Sequence, residues 1–184
     1  FSFPAKLTDC GAHAFDALCY PGDSIREEYK EDILVGYRWH DTKKIPALFP
    51  FGHGLSYTTF AYGKPQASAK TMASDGSLSV SVPVKNTGHV AGKEVVQLYI
   101  GDDRCEQLRP LKELKHFRKI YLLPGEEKTV TFTLTPDDLK YYDPLACAWL
   151  ADEGKFTVYI GSSSADIRGK LSFEMVNVVH PTSN

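Results

Sequence analysis

The sequence predicts a mainly β protein: a two-sheet sandwich of immunoglobulin-like topology that follows an irregular N-terminal arm. From residue 60 onward, about seven short segments alternate between apolar and polar residues and are separated by turn residues, as in such sandwiches. Before residue 30 the chain has neither a helical nor a strand period. At 184 residues, with 42% hydrophobic and 24% charged residues, the chain can form one domain and an appendage.

The arm is expected to turn near residues 9–11 and 21–23, with a short ordered piece near residues 1–6. Residues 29–41 have an Ile-Leu-Val core and are expected to form a short strand or extended segment. Trp39, His40 and Asp41 combine an aromatic ring with two titratable groups, as a sugar site would. Because neighbours on a strand point to opposite faces, we interpret Trp39 as an interface residue and Asp41 as a turn cap.

The strands of the sandwich are predicted from period-two alternation and from the turns between them. They span residues 78–84, 95–100, 114–122, 129–134, 141–143, 147–150, 154–160 and 169–176. Residues 136–139 are expected to form one helical turn, for which Thr135 is the N-cap. We interpret Tyr99, Tyr141 and Tyr159 as core or corner residues rather than as surfaces that stack on carbohydrate.

The segment 48–60 joins the arm to the strands and reads Leu-Phe-Pro-Phe-Gly-His-Gly-Leu-Ser-Tyr-Thr-Thr-Phe. Two glycines within three positions indicate a tight turn, and we expect a positive φ at the second, Gly54. The aromatic residues on either side can hold this turn against neighbouring structure, and His53 is expected to hydrogen-bond the backbone within it. We predict a packed junction between two bodies, made of Phe49, Pro50, Phe51, Gly52, His53, Gly54 and Tyr57.

This junction resembles one found late in the family 3 glycoside hydrolases, the β-glucosidase and β-xylosidase family. Residues 31–38 are similar to the last segment of that family's α/β sandwich domain. Residues 111–117, with 123–126, resemble the core of its fibronectin type III-like domain. The resemblance implies that residues 1–57 are the tail of an α/β sandwich domain with the junction, and that residues 58–184 form a fibronectin type III-like β-sandwich.

The resemblance further implies the C-terminal structural portion of a retaining β-glycosidase, in the first place a β-glucosidase that hydrolyses terminal β-D-glucosyl residues. Retaining enzymes use two carboxyl groups about 5–5.5 Å apart. In this family they are an Asp nucleophile in an N-terminal barrel and a Glu acid/base in the α/β sandwich domain, and no residue of this chain matches either position. We therefore assign no catalytic, cofactor-binding or metal-binding residue and expect the chain alone to be inactive.

The expected partners are the upstream barrel and α/β sandwich domains, which would bind the oligosaccharide substrate. The chain starts at Phe1 without a signal peptide, which we interpret as the start of a piece of a larger enzyme. The resemblance favours a periplasmic or secreted parent, while the sugar, the linkage and the oligomeric state stay open. The alternative is a free-standing fibronectin-like module that binds carbohydrate or protein.

Composition argues against other classes of function. A net charge of −2 gives no electrostatic reason to expect nucleic acid as a partner, and no apolar run approaches the ~20 residues of a membrane span. The basic run Arg109, Lys112, Lys115, Arg118 and Lys119 is interpreted as a solvated sheet edge.

The remaining polar motifs are interpreted as structural. Four pairs of adjacent carboxylates are expected to be solvated turn residues, at positions 31–32, 102–103, 126–127 and 137–138. The serines at 162–164 are expected to form a hydrophilic loop. The four cysteines are too scattered for a metal site. Whether Cys10 and Cys19 form a bridge stays open, although free thiols are favoured.

Overall fold

The computed structural model describes residues 1–102, 104 and 107–178 of the chain. The strands are β1 (Phe3–Pro4), β2 (Ala47–Phe49), β3 (Phe60–Tyr62), β4 (Gln66–Ala67), β5 (Thr71–Ala73), β6 (Leu78–Asn86), β7 (Gly92–Asp102), β8 (Glu113–Leu122), β9 (Glu127–Leu134), β10 (Tyr141–Asp143), β11 (Ala148–Leu150), β12 (Gly154–Gly161) and β13 (Ile167–Val176). The α-helix α1 spans Tyr37–Lys43, and 3₁₀ helices span Leu7–Asp9, Gly11–His13 and Pro136–Asp138.

Two sheets form the sandwich, as predicted. One sheet has the strand order β5-β13-β12-β7-β8 and is antiparallel except for the parallel pair β5–β13. In the other sheet β6 pairs with β3, β4 and β9, all antiparallel. The mainly β sandwich expected from the alternating pattern is therefore confirmed, and β7 and β8 at one side of the first sheet are the strands nearest to the arm.

The core lies between the facing sides of the two sheets. Along β6 every second side chain is buried, and β9 repeats the pattern from Val130 to Leu134. The first sheet contributes buried side chains such as Leu98, Phe156 and Phe173. Because burying one such side chain stabilises a protein by about 1.5–3 kcal/mol, this period-two pattern dominates the choice of fold.

The arm folds onto the sandwich and contains more structure than expected. The short ordered piece predicted at residues 1–6 is β1, which pairs with β2 through Phe3 and Phe49. The prediction of a strand or extended segment over residues 29–41 is wrong, because the chain turns at residues 30–33 and then forms α1. Gly36 precedes this helix at φ +62°, and Lys44 ends it in a left-handed conformation at φ +56°.

Trp39 on α1 is buried beneath the arm. Its indole Nε1 donates a hydrogen bond to the backbone oxygen of Asp9 at 3.0 Å, and the Phe15 ring meets it edge-on with centroids 5.7 Å apart. Trp39 is therefore buried against residues of its own arm rather than at the interface expected from the sequence. The predicted role of Asp41 as a cap of the next turn is wrong, because Asp41 forms a buried ion pair with Lys112.

The corner before β10 is a 3₁₀ helix, as the sequence predicts. The Thr135 backbone N–H donates to Asp138 Oδ2 at 2.8 Å, and the Asp138 N–H donates to the Thr135 carbonyl oxygen at 3.0 Å. The first bond satisfies the N–H group of the N-cap residue, and the second is the first bond of the 3₁₀ helix itself.

Candidate functional site

The junction loop, residues 50–57, leaves β2 and crosses the end of the sandwich before β3. Its first turn is closed by the His53 N–H, which donates to the Pro50 carbonyl oxygen at 3.0 Å. One side of this loop faces the sheet that contains β7 and β12, and the other side faces solvent. The inner side carries the contacts that set the position of the arm.

An aromatic stack connects the junction loop to the sheet. The Phe51 ring lies against the Tyr37 ring of α1 with centroids 5.0 Å apart. Tyr37 in turn meets the fully buried Tyr99 of β7 edge-on at 5.8 Å, and the Tyr37 hydroxyl accepts the Leu114 N–H of β8 at 2.8 Å. Loop, helix and sheet therefore share one apolar contact, which excludes water from the polar groups around it.

Gln97 on β7 lies beneath the loop and bonds to the β12–β13 connection, which is itself bonded to the loop. Its Nε2 donates to the Ser162 carbonyl oxygen at 2.6 Å, and its Oε1 accepts the Tyr99 hydroxyl. The Ser164 N–H donates to the Phe51 carbonyl oxygen at 2.9 Å. The interpretation of the serines at positions 162–164 as a hydrophilic loop is thus wrong, because Ser163 and Ser164 are buried against the junction.

Gly52, and not Gly54, is the glycine that the turn requires. Gly52 has φ +80°, and a Cβ atom placed on it would lie 2.7 Å from the Gln97 Oε1 atom. Gly54 does not have a positive φ, and a Cβ atom there would meet nothing within 4 Å. The prediction of a positive φ at Gly54 is therefore wrong. The turn needs its glycine at position 52, two residues before Gly54, because the backbone at position 52 passes directly above Gln97.

A buried ion pair fastens α1 to the start of β8. The Lys112 Nζ atom lies 2.6 Å from Asp41 Oδ2 and 5.7 Å from the centroid of the Tyr99 ring. The Leu111 N–H donates to Thr42 Oγ1 at 2.9 Å. Burial raises the pKa of Asp41, while the bond and charge of Lys112 act in the opposite direction. The interpretation of the basic run as a solvated edge is thus wrong for Lys112.

Arg109 in the same run is also buried. Its guanidinium lies 3.0 Å from Asp102, and both side chains are almost inaccessible to solvent. Asp102 is therefore not the solvated turn residue that its sequence neighbourhood suggests, while Asp103 lies outside the described residues. Asp138 and Glu31 also depart from that interpretation, since Asp138 is largely buried and the Glu31 Oε2 atom is inaccessible.

The outer side of the junction loop contacts little of the described chain. Leu55 and Tyr57 are 94% and 102% exposed. The His53 ring lies 5.5 Å from the Phe49 ring, and among the described residues no hydrogen bond of its imidazole is found. The expected bond between the His53 ring and the turn backbone is therefore not formed, and the turn is closed by the backbone N–H of His53 instead.

A polar groove of about 580 Å³ runs beside the junction loop and holds a cluster that sequence reasoning missed. Tyr62 donates to Glu94 Oε1 at 2.8 Å, and Arg168 binds both oxygens of Asp166 at 2.6 Å each. Burial raises the pKa of Glu94, and the bond from Arg168 lowers the pKa of Asp166. No local pattern indicates this cluster, because its members come from β3, β7 and the start of β13.

This groove does not have the arrangement of a retaining glycosidase. Such a site needs a carboxylate free to attack a sugar carbon. Both Asp166 oxygens are held by Arg168, and Oδ2 also accepts the Ser162 hydroxyl at 2.7 Å. Arg168 lies 5.7 Å from the Tyr62 ring, which ties the cluster into one network. We interpret the cluster as a network of polar contacts that holds β3 against the β12–β13 turn.

Metal-ligating side chains are scattered in the part of the chain that the structure describes. Within it, no group of three or more His, Cys, Asp or Glu side chains could hold a metal ion. Cys10 and Cys19 are free thiols, as favoured from the sequence. No helix among these residues is long and apolar enough to cross a membrane.

Comparison with known proteins gives matches over nearly the whole chain. A family model for the fibronectin type III-like domain matches residues 94–164. The chain is 63% identical over 176 residues to β-glucosidase BoGH3A of Bacteroides ovatus, covering 96% of this chain and 24% of that protein. The chain thus spans about a quarter of the length of this relative.

Two solved structures agree with that match. A β-glucosidase of Streptomyces venezuelae, DesR, solved with D-glucose, superposes with a TM-score of 0.86 at 39% identity, over 94% of this chain and 22% of that chain. The GH3 β-glucosidase of Bifidobacterium adolescentis superposes with a TM-score of 0.86 at 31% identity, over 99% of this chain and 27% of that one.

Proposed function

The chain belongs to the family 3 glycoside hydrolases, of which it is a C-terminal part, and from this we propose that it holds the catalytic domains of a retaining β-glucosidase in place. Residues 1–57 are the tail of the α/β sandwich domain with the junction, and residues 58–184 are the fibronectin type III-like domain. The parent enzyme hydrolyses terminal β-D-glucosyl residues, and its two catalytic carboxyl groups lie outside this chain.

The two-sided arm is the observation that carries this proposal. Its inner side is fastened to the sandwich by the Asp41–Lys112 ion pair, the aromatic stack and the bond from the Ser164 N–H to the junction loop. Its outer side exposes large apolar side chains: Phe1, Leu7, Ile25, Tyr29, Val35, Leu48, Leu55 and Tyr57. Apolar surface of this extent marks a contact with another protein part. The upstream α/β sandwich domain of the same enzyme is the partner that the family provides.

A complementation experiment tests the proposal. The segment of the B. ovatus relative that matches this chain is deleted, and this 184-residue chain is supplied separately. We expect the chain alone to release no product from an aryl β-glucoside, and we expect the truncated relative to regain activity and thermal stability when the chain is added. The relative's own segment, supplied in the same way, is the matched control.

Besides a failure of the added chain to restore the truncated relative, two results would contradict the proposal. The first is a truncated relative that keeps full activity and stability without any added segment, because the domain would then support nothing. The second is turnover by the isolated chain, because catalytic groups would then lie within it.

A further inference from the structure

A second groove, of about 540 Å³, lies where the arm, the approach to β8 and the β10–β11 hairpin meet. Fourteen residues line it, including Ile33 and Arg38 from the arm, Pro110 before β8, and Tyr142 and Trp149 from the hairpin. Its volume lies within the about 300–1,000 Å³ typical of small-ligand sites. A stable protein interface needs about 20–30 residues on each side, so a protein partner would have to cover much more surface than this groove.

Tyr142 and Trp149 form an exposed aromatic platform. They stand directly opposite each other on β10 and β11, so both side chains lie on the same face of the hairpin. Their ring centroids are 5.7 Å apart with an interplanar angle of 67°. Tyr142 is 51% and Trp149 is 65% exposed, although aromatic rings of this size are usually buried. Two large rings held together at the rim of a groove provide a stacking surface.

The platform is preorganised by the structure around it. Asp143 Oδ1 accepts the N–H groups of Leu145 at 2.8 Å and Ala146 at 3.1 Å, which closes the hairpin. At its base the Arg109 guanidinium lies 5.4 Å from the centroid of the Tyr141 ring and is itself held by Asp102. A ligand therefore meets rings whose positions are largely fixed, and it loses little affinity to ordering them.

Charged groups with hydrogen-bonding capacity surround the rings. Arg38 and Lys140 line the groove, where Arg38 is paired with Glu113 at 3.2 Å and Lys140 with Asp137 at 2.6 Å. Each pair offers donors and acceptors side by side with little net charge. A neutral ligand with many hydroxyl groups and flat apolar faces matches this combination better than an ion or a purely apolar molecule.

We propose that the Tyr142–Trp149 platform binds a β-linked gluco-oligosaccharide, with one pyranose face stacked on the Trp149 ring and hydroxyl groups bonded to the charged rim. The choice of glucose rests on the proposed function of the parent enzyme. The platform itself is complete in this chain, so its binding is measurable whether or not the parent is a β-glucosidase.

Tryptophan fluorescence gives a direct test, because the chain has two tryptophans and Trp39 is buried. Acrylamide quenching of the chain therefore reports mainly on Trp149. We expect saturable protection of this signal by cellotetraose, and none by maltotetraose, whose α-linked chain curves away from a flat surface. Binding of the same probe by Trp149→Ala and Tyr142→Ala is followed by isothermal titration calorimetry and is expected to weaken at least about tenfold.

Phe117→Ala is the matched control, since Phe117 is 68% exposed on β8 and does not line the groove. This variant is expected to bind cellotetraose as tightly as the unsubstituted chain does. Trp149→Phe is expected to keep a large part of the affinity because an aromatic ring remains. Circular dichroism verifies that each variant is folded.

Three outcomes would overturn the proposal. The proposed site is refuted if cellotetraose fails to bind the unsubstituted chain, or if it binds Trp149→Ala equally well. A concentration-dependent dimer in sedimentation equilibrium that Trp149→Ala abolishes would assign the platform to a second copy of the chain. A separate outcome, in which the complementation experiment fails while cellotetraose still binds, would reject the proposed function but not the platform.

Discussion

Replacing Gly52 by alanine tests whether the turn above Gln97 fixes the junction. The first cost is backbone strain, because an L-residue at φ +80° is disfavoured by about 1–2 kcal/mol. The second cost is displacement of the Gln97 amide, which lies 2.7 Å from the new Cβ atom through Oε1. Displacement breaks the 2.6 Å bond to the Ser162 carbonyl oxygen and leaves buried polar groups unpaired, at about 1–3 kcal/mol.

The two costs together predict a loss of about 2–5 kcal/mol in the free energy of unfolding. For a chain of 184 residues this corresponds to a fall in Tm of roughly 4–20 °C. Urea and thermal unfolding, followed by circular dichroism, measure both quantities. Gly54→Ala is the matched control two positions away and is expected to change stability by less than about 0.5 kcal/mol. Equal stability of the two variants would refute the reasoning.

Two further perturbations act on other parts of the fold. Lys112→Met leaves Asp41 buried without its partner, and we expect the free energy of unfolding in urea to fall by about 3–5 kcal/mol. The control is Lys128→Met, which breaks an exposed ion pair and is expected to cost less than about 1 kcal/mol. Burial raises the pKa of Glu94, so its contribution to folding stability is fully present at pH values below its ordinary pKa of 4.5. This contribution is lost as the pH rises through the raised pKa of the folded state. Glu94→Gln stays neutral and still accepts the Tyr62 hydroxyl, so its stability relative to the unsubstituted chain should increase as the pH rises above 4.5. A pH-independent difference would contradict this.

The sandwich was predictable because its strands carry their own signal. The alternation from Leu78 to Val84 fixes which side chains face the core, and β6 extends only to Asn86. The residues 129–134 were assigned in the same way and lie within β9. A period of two is a local property, so no knowledge of the partner strand is needed to recognise it. The fold class followed from the number and spacing of such segments.

The junction was located from sequence, but its contacts were not. Helix α1 looks like a strand because Tyr37 and Trp39 are residues that strands favour, and its helical form depends on tertiary contacts. Its ion pair joins Asp41 to a lysine 71 positions later, and Gly52 is needed because of Gln97 in a distant strand. Contacts of this kind have no local period, so the segment containing two glycines could be identified while the essential glycine was missed.

The polar character of these contacts bears on what the arm does. A buried ion pair contributes little net stability compared with apolar side chains of the same size, because both charges lose their hydration. Its geometry is nevertheless restrictive, since Lys112 must meet both Asp41 and the Tyr99 ring. An apolar contact would tolerate sliding of α1 over β8, whereas this contact leaves the charges unpaired if the helix shifts. We infer that the arm is built for one orientation rather than for maximal stability, which suits a segment that sets the angle between two domains.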